Sequence, residues 1–591
     1  MGLMQKAVET YDCFADIAGI EFENRATLAP IGHITVTAPL EITLDGEGRF
    51  LAARAVDKSE PKIVIPVTET SAGRTSSGAA PHPLTDQLGY LSLLNKQKNE
   101  AYVEQLRAWV VLPYAHPKLQ PILTYILNGT ILSDLSRCGL IQFEDGVLKE
   151  EKALVRWIVN GIGDLSGPCW TDTALFQSFL QYYNSSRQKG NPTLCLISGQ
   201  MDSPAQQHPK GVIPMNGNAK LISANDAIGF TYRGRFTESW QAATISYTAS
   251  QKAHNALRWV AANQGVSVVF GGRTFLCWSP QGIELPRVTG AMGIGRGREE
   301  KAVRPSDYRQ RLLDALNSWK TKLPAQAGVV IAAFDAATTG RLAVTYYNEL
   351  PASDFLQRLY DWDATCCAEN GNFGIQSPTL YDIATYAMGS QRDGTLKLDD
   401  RLLRQQMQRL VTCRVDRAPF PMDIERGIVQ KASRLLIYNK IREELLFTAC
   451  AVIRKYHFDL TKEEYPMALD ENNPDRSYLF GRLLALAEAV ERSTYDGETG
   501  REPNALRMQA VFAQRPLYGW RALETKLIPY YEKLEKTKPG LLAYYRTQIQ
   551  QIVEKLSPDQ TDLNQRLDDV YLLGYYHQRA YRRNQTAQTE E

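Results

Sequence analysis

The segment LEITLDGEGRFLAA (40–53) decides the fold class of the N-terminal part of the chain. Apolar and polar residues alternate from Leu40 to Leu44, and the turn-forming residues Asp45–Gly48 lead into a second apolar stretch. Two such stretches around an Asp-Gly turn are typical of a β-hairpin. The β-branched segments 33–37 and 63–67 predict further strands nearby, so this part of the chain is expected to form a sheet.

Strands and helices are mixed from there to about Tyr360, and helical patterns dominate afterwards. In the first part, the sequence predicts helices over 84–135 and 306–322 and strands over 194–198, 266–270, 274–278, 329–334 and 341–347. After Tyr360, where no further strand is expected, it predicts helices near 398–412, 422–455, 477–493, 516–536, 540–556 and 563–582. The expected fold class is therefore α+β, with a mixed α/β N-terminal two-thirds and an all-α C-terminal helical bundle.

The length of 591 residues suggests several domains. The sequence is divided into a β-hairpin and helical region (1–140), a mixed α/β region (141–360) and a helical remainder, in which a basic helical connecting region (361–466) and a C-terminal helical bundle (467–591) are separated at Met467. The chain shows no signal-peptide pattern and no apolar run of roughly eighteen residues. Its nine cysteines are scattered, which fits a reducing compartment, so a cytoplasmic protein without a membrane span is expected.

The net charge of +2 excludes a protein that is basic over its whole surface. Two tracts are nevertheless basic: 273–322 has ten Lys and Arg against five Asp and Glu, and 401–455 has twelve against five. Arginines spaced along helices suit phosphate oxygens and give salt-dependent binding to nucleic acid. A solvated helical face is the alternative interpretation of each tract.

Motifs for catalysis are missing from the sequence. The seven histidines form no HExxH, and no P-loop, GxSxG or CxxC occurs. The segment Gly290–Arg298 follows no clear strand and opens no helix, so we interpret it as a linker rather than a phosphate cradle. The sequence therefore predicts a protein that is not an enzyme and has no metal site or cofactor.

The loop Gly73–Gly78, GRTSSG, has the composition of a ligand contact. Its small residues let the backbone approach a groove or a phosphate, and Arg74 supplies charge. An ordinary surface turn is the alternative.

Six segments, in this order, resemble one family. They are RTSSGAAPHPLTDQLGYL (74–91), PILTYILNGTILSDL (121–135), CLISGQ (195–200), HPKGVIPMNGNAKLISANDAIGFTYRG (208–234), GRLAVTYYNELP (340–351) and LLGYYHQRAYRR (572–583). Together they resemble the large subunit of the type I-C CRISPR surveillance complex, Cascade. Each segment alone is weak, whereas six in one order are specific.

The resemblance implies a non-catalytic subunit of an RNA-guided complex that targets DNA. Such a subunit lies next to the CRISPR RNA 5′ handle, beside backbone and handle-binding subunits. It recognises the protospacer-adjacent motif in double-stranded target DNA, helps to open the duplex, stabilises the R-loop and its displaced single strand, and docks a recruited helicase–nuclease. It also implies that the bundle 467–591 resembles a small subunit made from an internal start, for which Met467 is a candidate.

The segments of resemblance suggest one set of DNA-binding residues, and the basic tract 401–455 suggests a second. For motif recognition the candidates are Arg74, Thr75, Ser76, Ser77, Asn216, Asn218 and Lys220. For the displaced non-target strand they are Arg401, Arg404, Arg409, Arg434 and Arg442, with Arg579, Arg582 and Arg583 as further candidates. Two other functions stay open: a structural scaffold without motif recognition, and a stand-alone enzyme with a cryptic active site.

Overall fold

The computed structural model describes residues 2–74, 78–187, 191–213, 217–223, 244–263, 267–290, 304–371, 374–495, 501–556 and 562–590, with only the backbone for Ala337 and 582–590. The chain forms two compact units: residues 1–283 with 328–349, and residues 284–327 with 350–591. The fold class is α+β, as predicted. The division into four regions stays a prediction.

The first unit contains the larger sheets. Its helices are α1 (Leu3–Cys13), α2 (Glu69–Gly73), α3 (Leu88–Leu91), α4 (Lys96–Val110), α5 (Leu119–Asn128), α6 (Ile131–Arg137), α7 (Thr173–Ser186) and α8 (Tyr247–Ala262). Its strands are β1 (His33–Val36), β2 (Leu40–Leu44), β3 (Phe50–Ala55), β4 (Ile63–Pro66), β5 (Phe143–Glu144), β6 (Val147–Leu148), β7 (Val155–Val159), β8 (Gly167–Pro168), β9 (Thr193–Leu194), β10 (Met201–Asp202), β11 (Ser267–Phe270), β12 (Arg273–Trp278), β13 (Gly328–Thr338) and β14 (Arg341–Pro351).

The predicted hairpin forms β2 and β3 of a four-stranded sheet in the order β3-β2-β7-β8. Strand β2 pairs in parallel with β7, and its inward residues Ile42 and Leu44 lie in a core with Trp157 and Trp109. Strand β4 pairs with β1 in a separate ladder. The helical prediction over 84–135 is resolved into α3 to α6.

A second four-stranded sheet has the order β11-β12-β13-β14. Its strands correspond to those predicted near 266–278 and 329–347. Helices α1 and α8 pack with it, and the Trp278 indole donates a hydrogen bond to the Thr10 hydroxyl. The strand predicted over 194–198 is wrong beyond Leu194. The Gly199 N–H donates to the Cys195 carbonyl, so the chain turns at this point.

The second unit is largely helical. Its helices are α9 (Pro305–Lys322), α10 (Ala352–Thr365), α11 (Leu380–Met388), α12 (Asp400–Asp416), α13 (Met422–Ala432), α14 (Arg442–Thr461), α15 (Arg476–Arg492), α16 (Asn504–Gln514), α17 (Pro516–Thr537), α18 (Pro539–Lys555) and α19 (Tyr571–Glu590). Its short strands are β15 (Ala368–Glu369), β16 (Ile375–Gln376), β17 (Ser390–Arg392) and β18 (Thr395–Lys397).

The expectation that strands stop after Tyr360 is therefore wrong. Strands β17 and β18 form a hairpin whose two turn residues, Asp393 and Gly394, both have positive φ. An Asp-Gly pair is the usual sequence of such a turn. The flanking residues hardly alternate in polarity, so the local pattern indicated a loop.

The helix predicted over 422–455 is interrupted between α13 and α14. Gln509 of α16 accounts for the break, since its amide donates to the Ala432 carbonyl and its Oε1 accepts the Leu435 N–H. A helix end inside a protein requires such partners for its backbone groups. Helix α16, which supplies them, was not predicted.

Helix α14 shares the core of the C-terminal bundle. Residues 445–455 are buried without interruption, and the Cys450 thiol lies 3.7 Å from the Leu572 carbonyl of α19. Helix α14, which precedes Met467 in the chain, therefore packs against α19, and Met467 is itself buried. In the described part of the chain, no helix is long and apolar enough to cross a membrane.

Candidate nucleic-acid interface

Helix α2 holds the two predicted motif-recognition segments together through hydrogen bonds of Glu69. It begins with a capping box, in which the Thr68 hydroxyl accepts the Ser71 N–H and the Ser71 hydroxyl accepts the Thr68 N–H, both at 3.0 Å. The buried Glu69 carboxylate accepts the backbone N–H groups of Gln206, at 2.9 Å, and Gln207, at 3.2 Å. Glu69 thus fastens the loop that begins at Arg74 to the segment that leads to Lys220.

Arg74 is held by groups from the residues that follow its loop in the chain. Its guanidinium binds both carboxylate oxygens of Asp86, at 2.8 and 2.5 Å, and donates to the Ala80 carbonyl at 3.1 Å. It also lies over the Tyr90 ring, 4.6 Å from the centroid. The Tyr90 hydroxyl donates to the Gly78 carbonyl, so both ends of the loop are fixed by the same group of side chains.

Asp86 is the centre of this arrangement. Its side chain is fully buried, and it also accepts the N–H groups of His82 and Gln87, each at 2.7 Å. Burial raises the pKa of Asp86, while the Arg74 guanidinium and the two backbone donors oppose that rise. The pair positions the loop, and the Arg74 side chain remains only 13% exposed.

Of the other motif-recognition candidates, the structure describes only Asn218 and Lys220. Asn218 is exposed, and Lys220 is half-buried. Thr75, Ser76, Ser77 and Asn216 lie outside the described residues.

Two basic residues that sequence reasoning did not select lie beside Lys220. Lys210 forms an antiparallel backbone bridge with Lys220, which in turn forms a parallel bridge with Arg341. The Lys220 N–H donates to the Gly340 carbonyl, and the Leu342 N–H donates to the Lys220 carbonyl, both at 3.0 Å. We name Lys210, Lys220 and Arg341 the basic ladder.

The basic ladder adjoins the predicted motif loop. The Lys210 ammonium donates to the Arg74 carbonyl at 3.1 Å. Arg258 of α8 supports the backbone beneath, because its guanidinium donates to the carbonyls of Lys210 and Gly211. Lys210 and Arg341 both belong to segments that carry the family resemblance, but only the tertiary contact distinguishes them from other basic residues.

Neutral histidines lie beneath this surface. His208 Nδ1 is 2.8 Å from the Ser250 hydroxyl, and His254 Nδ1 donates to the Ser250 carbonyl at 2.7 Å. Burial, with help from Lys220, lowers the pKa of His208 to about 4, and burial lowers that of His254 to about 3. These side chains are uncharged at neutral pH, so the positive charge comes from the lysines and arginines.

The candidates for the displaced strand divide into exposed and paired arginines. Arg401 and Arg434 are exposed, and Arg404 is half-buried. Arg409 binds both oxygens of Asp423, at 2.7 and 2.5 Å, and Arg442 binds Glu502 at 2.8 Å. The described side chains thus leave Arg401 and Arg434 best placed to reach a phosphate.

Arg579 lies inside the second unit. Its guanidinium pairs with Glu443 at 2.9 Å and with Glu488 at 3.3 Å, and its side chain is 12% exposed. Burial favours the neutral form of Glu488, but Arg579 and Arg492 outweigh it and lower the pKa of that carboxyl. Arg579 therefore has a clear role in packing; the side chains of Arg582 and Arg583 lie outside the described residues.

The described residues contain no group of three or more His, Cys, Asp or Glu side chains placed to hold a metal ion. The adjacent thiols of Cys366 and Cys367 are buried, and burial raises the pKa of both. A raised pKa suppresses the thiolate, which is the reactive form.

Comparison with known families identifies the class of protein. The family model described as CRISPR-associated protein (Cas_Csd1) matches residues 8–583, nearly the whole chain. The chain belongs to this family of CRISPR-associated proteins, which confirms the CRISPR association that the six segments implied. Comparison with curated proteins gives no match.

Proposed function

We propose that this protein is the non-catalytic large subunit of a type I-C Cascade, and that it recognises the protospacer-adjacent motif in double-stranded DNA. In that role it aids duplex opening, stabilises the R-loop and docks the helicase–nuclease. Its partners are the CRISPR RNA 5′ handle, the backbone and handle-binding subunits and a small subunit from an internal start. It acts in the cytoplasm. Membership in the CRISPR-associated family supports the part of this proposal that places the chain in a CRISPR complex.

One observation carries the motif-recognition part. The loop at Arg74 and the segment around Lys220 were selected from distant parts of the sequence, and Glu69 and Lys210 fasten them to each other. The surface that results has a fixed basic edge and an exposed amide, Asn218. Cations position a nucleic-acid backbone, and amides can form hydrogen bonds with base edges, so the combination suits recognition of a short motif.

The test is binding of the assembled complex to two duplexes that share the guide-matched sequence and differ only in the adjacent motif. We expect tighter binding to the intact motif than to the scrambled one in a gel-shift titration. Equal affinity for both duplexes would reject motif recognition. A complex assembled without this chain is the control, and it should bind both duplexes alike.

For the displaced strand, we expect Arg401→Ala and Arg434→Ala each to lower affinity for an opened target. Each change should reduce the salt dependence of binding by about 0.7 in log–log slope, because one phosphate contact to a single strand is lost. The readout is titration of a target with an unpaired non-target strand at several salt concentrations. Arg409→Ala is the matched control, since its guanidinium is already bound by Asp423. Equal losses in all three variants would contradict the division into exposed and paired arginines.

A further inference from the structure

We propose that the basic ladder binds a phosphate of the target-DNA duplex, so that it holds the backbone while the neighbouring loops contact the motif. The proposal rests on the proposed function and specifies its ligand chemistry. It adds Lys210 and Arg341 to the candidates and separates positioning from base recognition.

The first argument is geometric. Residues directly opposite each other in a β-bridge project their side chains from the same face, with Cβ atoms about 5 Å apart. Lys210 and Lys220 are opposite each other, and so are Lys220 and Arg341. Three cations are therefore aligned on one face, and like charges in this arrangement destabilise the fold.

The second argument is the missing counter-charge. Among the described residues, no carboxylate oxygen lies within 4.0 Å of the charged nitrogen atoms of Lys210, Lys220 or Arg341. The Lys210 ammonium has a carbonyl partner, Arg74, whose own charge is matched by Asp86. Burial lowers the pKa of Lys210, and the charge of Arg74 lowers it further. The pKa of Lys220 is lowered by burial and by the charge of Lys210. A bound anion would relieve this unfavourable arrangement.

The third argument concerns access. Gly73, the last residue of α2, lies beside Lys220: a Cβ atom at this position would be 3.9 Å from the Lys220 ammonium and 2.7 Å from the Gln207 amide oxygen. The absence of a side chain therefore allows the end of α2 to approach Lys220. Arg341, at the other end of the ladder, is exposed. The anion site is thus reachable from solvent along its outer edge.

The position of the ladder argues for a phosphate of duplex DNA. Lys210 contacts Arg74 of the predicted motif loop, and Asn218 lies two residues before Lys220. A phosphodiester backbone presents a regular series of single negative charges, and lysine is an effective partner for them as a point charge. The ladder would then hold the backbone next to the bases that the loops contact.

The experiment uses complexes that carry Lys210→Gln, Lys220→Gln or Arg341→Gln. We expect each variant to lose about threefold or more in affinity near physiological salt, equally on intact and scrambled motifs. Each should also reduce the log–log salt slope, by at most about one, which is the value expected when the whole phosphate contact is lost. In the free chain, Lys220→Gln and Arg341→Gln should leave the melting temperature unchanged or raise it, because a like-charge contact is removed, whereas Lys210→Gln also loses the hydrogen bond to the Arg74 carbonyl and should lower it. Exposed Lys58→Gln and Arg107→Gln are the charge-matched controls and should behave as wild type.

The outcomes separate this proposal from the proposed function. Motif-dependent binding by wild type with unchanged affinity and slope in the ladder variants would overturn the ladder and leave the function intact. Loss of CRISPR RNA from the purified ladder variants would also overturn it, because the cations would then hold the RNA handle. If wild type shows no motif dependence, the proposed function fails, whereas a smaller salt slope in the variants would still support the ladder. Since Arg341 is exposed, its variant tests the ladder even if a lysine variant fails to fold.

Discussion

Arg74→Ala is expected to destabilise the first unit by about 3 kcal/mol and to weaken motif-dependent DNA binding. The change removes the bidentate partner of the Asp86 carboxylate, whose side chain is fully buried. Removal of one member of a buried ion pair is strongly destabilising because it leaves an uncompensated charge. The backbone donors at His82 and Gln87 remain, so the expected loss lies at the lower end for such pairs.

The loss should depend on pH in a specific direction. Burial already raises the pKa of Asp86, and without Arg74 the pKa in the folded variant rises further. A carboxyl whose pKa is higher in the folded state than in the unfolded state is protonated at low pH without cost. It destabilises the fold as the pH rises above the unfolded value. Arg74→Ala should therefore lose more stability at pH 8 than at pH 5.

Urea unfolding of wild type and variant at both pH values measures this difference. Asp86→Asn in the Arg74→Ala background is the control, and it should recover part of the stability and remove most of the pH dependence. It also separates folding from recognition, because any loss of motif binding that persists in the double variant is not due to a buried charge. An equal loss at pH 5 and pH 8 would contradict the account of Asp86.

Gly481→Ala is expected to destabilise the second unit by about 3 kcal/mol. Helices α15 and α19 cross at two glycines: a Cβ on Gly481 would overlap the Tyr571 carbonyl, and one on Gly574 would overlap the Tyr478 carbonyl. These obstacles are backbone atoms of a packed helix and cannot move aside as a flexible side chain can. Overpacking of this kind costs about 1–3 kcal/mol and more where the backbone must shift, which outweighs the better helix propensity of alanine.

The matched control is Gly540→Ala, in the first turn of α18. A Cβ at Gly540 meets no atom within 4 Å, so the change should be neutral or stabilise by up to about 1 kcal/mol. Urea unfolding of both full-length variants gives the two values, and Gly574→Ala should behave like Gly481→Ala. Similar stabilities for Gly481→Ala and Gly540→Ala would rule out a close backbone crossing.

Local patterns predicted many of the elements, but not the helices α1, α7, α8, α10, α11 and α16. The alternation around Asp45 indicated β2 and β3, and the helical pattern over 306–322, with Asp307 close to its start, indicated α9. Such signals depend on near neighbours, and the same neighbours act in the folded chain. The break between α13 and α14 could not be predicted in this way, since its backbone groups bind Gln509, which lies far along the chain.

The candidate site shows the same contrast. Arg74 and Lys220 could be predicted as site residues because they lie in segments that resemble the family. The ion pair between Arg74 and Asp86 could not be predicted, because nothing in the sequence around Asp86 indicates that its side chain is completely buried. Arg409 and Arg442 likewise appeared equivalent to Arg401 until folding brought Asp423 and Glu502 against them.

The sequence by itself determined the α+β class, the family and the two basic tracts, since composition, periodicity and ordered motifs belong to the chain before it folds. Only the tertiary structure decided which cations act together. Lys210, Lys220 and Arg341 become neighbours through backbone bridges, while Arg409 and Arg579 are neutralised by carboxylates from other helices. The physical reason is that interactions between charged groups depend on distance and burial, and the fold sets both.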